Sequence, residues 1–269
     1  VIPYAFRYAR PNSIAEAEAA LKSDNDAKLL AGGQTLIATM KQRLASPSLL
    51  VDIARLPELR FLRKDGTRIV IGAGMRHHEI AASADVRSAI PALAEMAGSI
   101  GDPAVRYRGT LGGSLANNDP AADYPAAVVA LDATIETNRR VIAAEEFFMG
   151  MFETALEDGE IIKGVTFPVV ERAGYAKLRN PASRYAMAGV FVAKSPSGVR
   201  MAATGAGPSV FRIPAMEAAL SRNFAPESLV GITVDADGLN SDIHASAEYR
   251  AHLVAVMARR AVESATAGS

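Results

Sequence analysis

Gly109-Thr110-Leu111-Gly112-Gly113-Ser114-Leu115-Ala116-Asn117-Asn118-Asp119-Pro120-Ala121-Ala122-Asp123 is the stretch on which the reading of this chain turns. It sets two adjacent glycines among the hydroxyls of Thr110 and Ser114, the amides of Asn117 and Asn118, and the acids Asp119 and Asp123. Leu111 and Leu115 would anchor it to a core. Asn and Asp also stiffen loops by bonding their own backbone. A polar stretch of this length nevertheless exceeds what a connection needs, and loops of that kind commonly carry binding groups. It reads as a loop that presents amides and short polar groups to a polar ligand, with Ser114 as a hydroxyl that supports the backbone.

A second glycine segment lies upstream, Ala31-Gly32-Gly33-Gln34-Thr35. It falls between an apolar strand at 27–30 and a helix expected over 36–44, with Ile37, Met40 and Leu44 turned inward. An isolated Gly-Gly is more often a tight strand-to-helix turn. Paired glycines also let successive amides point one way, and a following helix start adds its dipole, which makes a cradle for phosphate.

Around these segments the pattern alternates helix and strand without a doubly wound order, which predicts an α+β class. Ser13 and Glu16 are spaced as a capping box opening a helix over 13–21. Strands are expected at 49–53, 68–71, 134–137, 141–143 and 161–167, with helices at 91–100 and 125–131. Beyond Pro168 the texture changes. Strands at 175–178, 188–193 and 199–204 include a hairpin turned by Ser195-Pro196-Ser197-Gly198, and a short helix at 214–220 follows. A last helix over 245–265 has Tyr249, Leu253, Val256, Met257 and Ala261 on one stripe. The breaks predict units over 1–57, 58–168 and 169–269.

Composition excludes several classes. Lys+Arg and Asp+Glu are both 29, so no net field gathers nucleic acid or an anionic membrane. There is no cysteine, so this chain holds no disulfide, thiolate zinc site or iron–sulfur cluster. No apolar run approaches the ~18–20 residues of a membrane span, and the start of the chain lacks signal-peptide features. A cytoplasmic protein is expected. Gly72-Ala73-Gly74 runs to His77 and Gly205-Ala206-Gly207 to Val210, so the dinucleotide fingerprint is missing. His77-His78-Glu79 lacks the second histidine of a zinc helix and reads as a solvated helix start. No residue is assigned a catalytic or metal-ligating role.

The two glycine segments, in this order and spacing, resemble those of the FAD-binding subunits of the xanthine dehydrogenase and carbon monoxide dehydrogenase family of molybdenum hydroxylases. The resemblance covers essentially the whole chain, taking in Ala130-Leu131-Asp132-Ala133, Tyr175-Ala176-Lys177 and Thr204-Gly205-Ala206-Gly207. It implies a vanillyl-alcohol-oxidase-like (PCMH-type) fold of two FAD-binding subdomains followed by the family's C-terminal flavoprotein domain. Leu29, Leu30, Ala31, Gly32, Gly33, Gln34, Thr35 and Leu36 would then cradle the FAD pyrophosphate. Thr110, Gly112, Gly113, Ser114 and Asn117 would line its other side, and Asp123 would bond the ribose or adenine end. Ile162 would pack near the cofactor, Lys177 would stand near the flavin, and Tyr185 would cover one face of the isoalloxazine. One departure is Arg184, where many relatives carry an acid.

The resemblance further implies electron transfer without substrate chemistry on this chain. A large partner would carry the molybdenum cofactor and a small one the iron–sulfur clusters, in a dimer of heterotrimers. FAD here would take their electrons and pass them to an external acceptor. A self-contained PCMH-type flavin oxidoreductase and a module that has lost its flavin are the rival classes.

Overall fold

The computed structural model describes residues 2–267. The first unit runs β1 (Arg7–Ala9), α1 (Ile14–Lys22), β2 (Ala27–Leu30), α2 (Leu36–Lys41) and β3 (Leu49–Asp52). Its three strands are parallel in the order β1-β3-β2. Ser13 caps α1 as expected, its hydroxyl accepting from the Glu16 amide at 3.1 Å. Only half of the capping box forms, because the Glu16 carboxylate turns to the Asn12 amide at 2.8 Å. α2 is shorter than the sequence suggested. Arg43 takes a left-handed φ of 62° just beyond it. Met40 is therefore buried, while Ile37 and Leu44 are 36% and 76% exposed.

The second unit begins with the hairpin β4 (Leu62–Asp65) and β5 (Arg68–Gly72). A helical run follows: α3 (His77–Ala82), α4 (Ala84–Ala89), α5 (Pro91–Gly98), α6 (Pro103–Arg106), α7 (Leu111–Asn117) and α8 (Tyr124–Ala130). It ends with β6 (Thr134–Thr137), β7 (Val141–Ala143), α9 (Ala144–Phe147), a small hairpin of β8 (Phe148–Gly150) and β9 (Glu153–Thr154), and β10 (Ile162–Pro168). The five-stranded sheet is antiparallel in the order β4-β5-β10-β6-β7. The expected polar loop over 109–123 is in part helical, and a further short helix precedes it. Asp102 accepts from the Val105 amide at 2.9 Å and Thr110 from the Gly113 amide at 3.2 Å, which caps α6 and α7. Leu111 and Leu115 are fully buried, as expected, and hold α7 to the core.

The third unit holds β11 (Arg172–Arg179), β12 (Ala186–Ser195), β13 (Gly198–Thr204), β14 (Phe211–Arg212), α10 (Pro214–Arg222) and α11 (Ala247–Ala267). Its antiparallel sheet runs β11-β12-β13-β14, with the predicted hairpin closing Ser195 on Gly198. The alternation along β12 and β13 decides its packing. Phe191, Ala193 and Ala202 face the core of the second unit. Val190, Val192, Met201 and Ala203 face α10 and α11. Burial on both faces explains why β12 is a nearly unbroken apolar run. The mixed helix-and-strand architecture matches the α+β expectation.

α11 lies directly on β11. A Cβ at Gly174 would stand 2.0 Å from the Ala261 carbonyl oxygen and 2.7 Å from the Ala265 nitrogen. Overpacking of this kind costs about 1–3 kcal/mol, so Gly174→Ala should lower the urea midpoint accordingly. An unchanged midpoint would show that the helix has room to lift.

Candidate functional site

The two glycine segments meet backbone to backbone. A Cβ at Gly32 would stand 2.3 Å from the Arg108 carbonyl oxygen and 2.8 Å from Gly109 Cα. A Cβ at Gly112 would stand 2.6 Å from Ala73 Cβ. These close approaches, open only to glycine, bring the β2–α2 connection against the entry to α7. Between them runs a cleft of about 590 Å³, within the range of small-molecule and cofactor sites.

The segments contribute differently. Among the described residues no hydrogen bond engages the amides of Gly32, Gly33, Gln34, Thr35 and Leu36. Gly33 has a φ of 72°, which helps curl this run into a concave row of donors. The amides of the second segment are largely spent. Leu111 donates to the Met75 carbonyl at 3.0 Å, Gly112 to the Ala73 carbonyl at 2.8 Å, and Gly113 to Thr110 Oγ1. The sequence suggested that this second segment presents its amides. The structure shows instead a capped helix whose glycines give closeness, so that its side chains and the Gly113 face border the cleft.

Leu29 through Leu36, Thr110, Gly112, Gly113, Ser114, Asn117, Asp123, Ile162 and Tyr185 all line the one cleft. Lys177 is not in its wall. Its side chain is 3% exposed, with Nζ 2.7 Å from Asp123 Oδ1. The Tyr175 hydroxyl donates to the same carboxylate oxygen. Burial, followed by the Asp123 charge, raises the Tyr175 pKa well above its ordinary value. Asp123 thus borders the cleft while Lys177 and Tyr175 hold it from behind.

The third unit reaches the cleft through the β11–β12 turn. Asn180 Oδ1 accepts from the amides of Ala182 and Ser183 at 2.9 and 3.1 Å, and the Asn180 amide donates to the Tyr185 carbonyl at 2.8 Å. Arg184 takes a left-handed φ of 62°. Ser183, Arg184 and Tyr185 are thereby laid along the cleft, with Tyr185 46% exposed. Its hydroxyl pKa is raised by desolvation and then by Asp119 and Asp123.

Two buried polar residues of the lining escaped the sequence reading. His77 was expected to be solvated, but it is 5% exposed. Burial, with Arg106 and His78 nearby, pushes its pKa down to about 4. Glu160 is the other, and its only sequence signal was the acidic run preceding β10. Its carboxylate accepts from Thr137 Oγ1 at 2.7 Å, from Arg140 at 3.0 and 3.1 Å, and from the Glu157 amide at 2.8 Å.

Residues 4–170 match the family described as the FAD binding domain in molybdopterin dehydrogenase. The chain belongs to that family. It is 35% identical to the carbon monoxide dehydrogenase medium chain of Hydrogenophaga pseudoflava, over 99% of each chain. It is 37% identical to the nicotine 6-hydroxylase medium subunit of Paenarthrobacter nicotinovorans, over 98% of each. It superposes on a chain of the reconstituted CO dehydrogenase from Oligotropha carboxidovorans with a TM-score of 0.91 at 34% identity, covering 100% of both. The protein is an FAD-binding oxidoreductase subunit of the molybdenum hydroxylase type. The donor set fits that cofactor. A row of unspent amides suits a diphosphate, and apolar Ile53, Ile100, Ile161 and Ile162 with Tyr185 suit an aromatic ring system.

Glu160 gives the cleft an acid limit. Led by the Arg140 hydrogen bonds, its pKa falls from 4.5 to about 2. A carboxylate depressed on folding stabilises the fold above its unfolded pKa, and that contribution is lost as pH falls through the folded value. The window for Glu160 is therefore from about 4.5 down to about 2. Glu160→Gln should flatten stability across this window. It should also cost about 1–3 kcal/mol at neutral pH, at the lower end because water screens the half-exposed Arg140. Unfolding midpoints of the two proteins at pH 3 and pH 7 check both expectations.

Proposed function

We propose that this chain holds FAD as the electron exit of a three-part molybdenum hydroxylase. The observation that carries this reading is the run of five unengaged amides from Gly32 to Leu36 along the cleft. It is a site for an anion that brings its own charge and needs donors without counter-ions. The diphosphate of FAD would lie there, with Thr110, Gly113, Ser114 and Asn117 across from it. Asp123, held by Lys177 and Tyr175, would accept from a ribose or adenine group. Ile162 and Tyr185 would pack on the cofactor, and Lys177 would act on it through Asp123.

FAD supplies a centre that takes up two electrons and releases them to a separate acceptor. A small partner with iron–sulfur clusters would deliver those electrons, and a large partner with the molybdenum cofactor would oxidise the organic substrate. The relatives named above are medium chains or subunits, one named for carbon monoxide and one for nicotine. The division of labour places substrate choice on the large partner. Two copies of each chain, as a dimer of heterotrimers, would complete the assembly, and a cytoplasmic location would suit it. Among the described residues no helix is long and apolar enough to cross a membrane.

The native assembly, purified through a tag on this chain, tests the reading. We expect about one releasable FAD per chain, flavin absorbance bands, and co-purifying molybdenum and iron–sulfur subunits. Removing the small partner should stop reduction of the flavin by substrate while leaving FAD bound. An assembly without FAD, or a lone chain that oxidises substrate by itself, would sink the proposal.

A further inference from the structure

His77 opens α3, and its amide donates to the Gly109 carbonyl at 3.1 Å. Gly109 gives the ring its space, since a Cβ there would lie 2.5 Å from His77 Nε2. Gly109 is also the residue against which Gly32 packs. The imidazole therefore sits beside the point where the two glycine segments join, and it lines the cleft.

Its ring nitrogens have no hydrogen-bond partner among the described residues. Nδ1 is enclosed and makes no hydrogen bond, and the hydroxyl of Tyr124, fully buried with its ring 5.4 Å away, makes none either. No hydrogen bond engages Nε2 among the described residues, yet Nε2 is not one of the enclosed atoms. An enclosed ring nitrogen without a partner is costly, and a side chain kept only for bulk would not carry it. A neutral imidazole has one donor and one acceptor. The enclosed Nδ1 suits the acceptor, because an unfilled acceptor is tolerated in an interior more readily than an orphaned N–H. The N–H then belongs to Nε2, on the cleft side.

We propose that His77 is a cofactor-contacting residue whose Nε2–H donates to a diphosphate oxygen of FAD, where the backbones of Gly32 and Gly109 meet. This rests on the FAD reading above. Before the cofactor binds, burial together with Arg106 and His78 keeps the ring uncharged, so the cleft gains a directed donor beside the Gly32–Leu36 amides.

FAD titrated into the full chain freed of cofactor, followed by flavin fluorescence and by phosphorus NMR of the bound FAD, tests this. His77→Leu should weaken FAD by roughly tenfold to a hundredfold, the effect of losing a hydrogen bond to a charged group. It should also move a phosphorus resonance of the bound FAD. His77→Gln, whose amide reaches a similar point, should stay within about threefold of wild type. The cofactor-free melting temperature of both variants should match that of wild type. Equal affinity in His77→Leu, or unmoved phosphorus resonances, overturns the inference. So does a loss of affinity in both variants that tracks a fall in cofactor-free melting temperature, because a purely structural histidine behaves that way. A wild-type chain that takes up no FAD overturns the FAD reading itself, and this inference with it.

Discussion

The cleft exists because three side chains are missing. Without a Cβ at Gly32, the β2–α2 connection can lie on the Arg108 carbonyl. Without one at Gly109, the His77 ring can fit beneath the same strand of backbone, and without one at Gly112, α7 can start against Ala73. The Gly32 contact joins elements of two units through backbone, where a methyl group would force them apart, and the other two pack elements within the second unit. Everything that borders the cleft inherits its position from this junction. The glycines of the first segment leave amides free, while in the second the Gly112 amide bonds the Ala73 carbonyl and the Gly113 amide closes the Thr110 cap.

A second constraint comes from the third unit. Asp123 is buried at the cleft edge, and a buried carboxylate is tolerable only when paired or hydrogen-bonded. β11 supplies both Lys177 and the Tyr175 hydroxyl. Gly189 on β12 leaves room for that hydroxyl, 2.7 Å from where a Cβ would be. Thr204 Oγ1 then holds the Pro120 and Ala122 carbonyls at 3.0 and 2.6 Å, and the Gly205 amide holds Pro120 again at 2.7 Å. The four-stranded sheet therefore braces the Asp119–Asp123 segment from behind. Rigid support of this kind is what lets a binding group keep its place.

The sequence carried the parts of this arrangement that rest on periodicity and turn chemistry. The third-unit hairpin, the long last helix and the strand at 27–30 were legible because their apolar pattern is regular. α6 and α7 were not, because Gly112, Gly113 and Asn117 have low helix propensity. What forms α7 is the Thr110 cap and the burial of Leu111 and Leu115, and burial is a tertiary fact. β1 and β4 escaped for the opposite reason. As edge strands rich in Arg, Lys and Tyr they show no buried face to read. At the site, the glycine segments could be found by composition. Lys177 could be found only as a residue type, since its place behind Asp123 depends on strand register. His77 looked solvated because a lone sequence cannot show that α3 turns it under Gly109.

The charge around the cleft follows one logic. A diphosphate brings negative charge, and three carboxylates border the space where it would lie: Asp119, Asp123 and Glu160. Two are neutralised from outside, Asp123 by Lys177 and Glu160 by Arg140. Among the described residues the Asp119 carboxylate accepts only from the Ala121 amide, and burial raises its pKa. Among the described residues Arg184 lines the cleft without an ion pair. The wall thus presents backbone donors beside one unpaired cation, with two of its three carboxylates paired. An anion held by amides in such surroundings is fixed by direction more than by charge, and that suits a cofactor whose own charge changes as it is reduced and reoxidised.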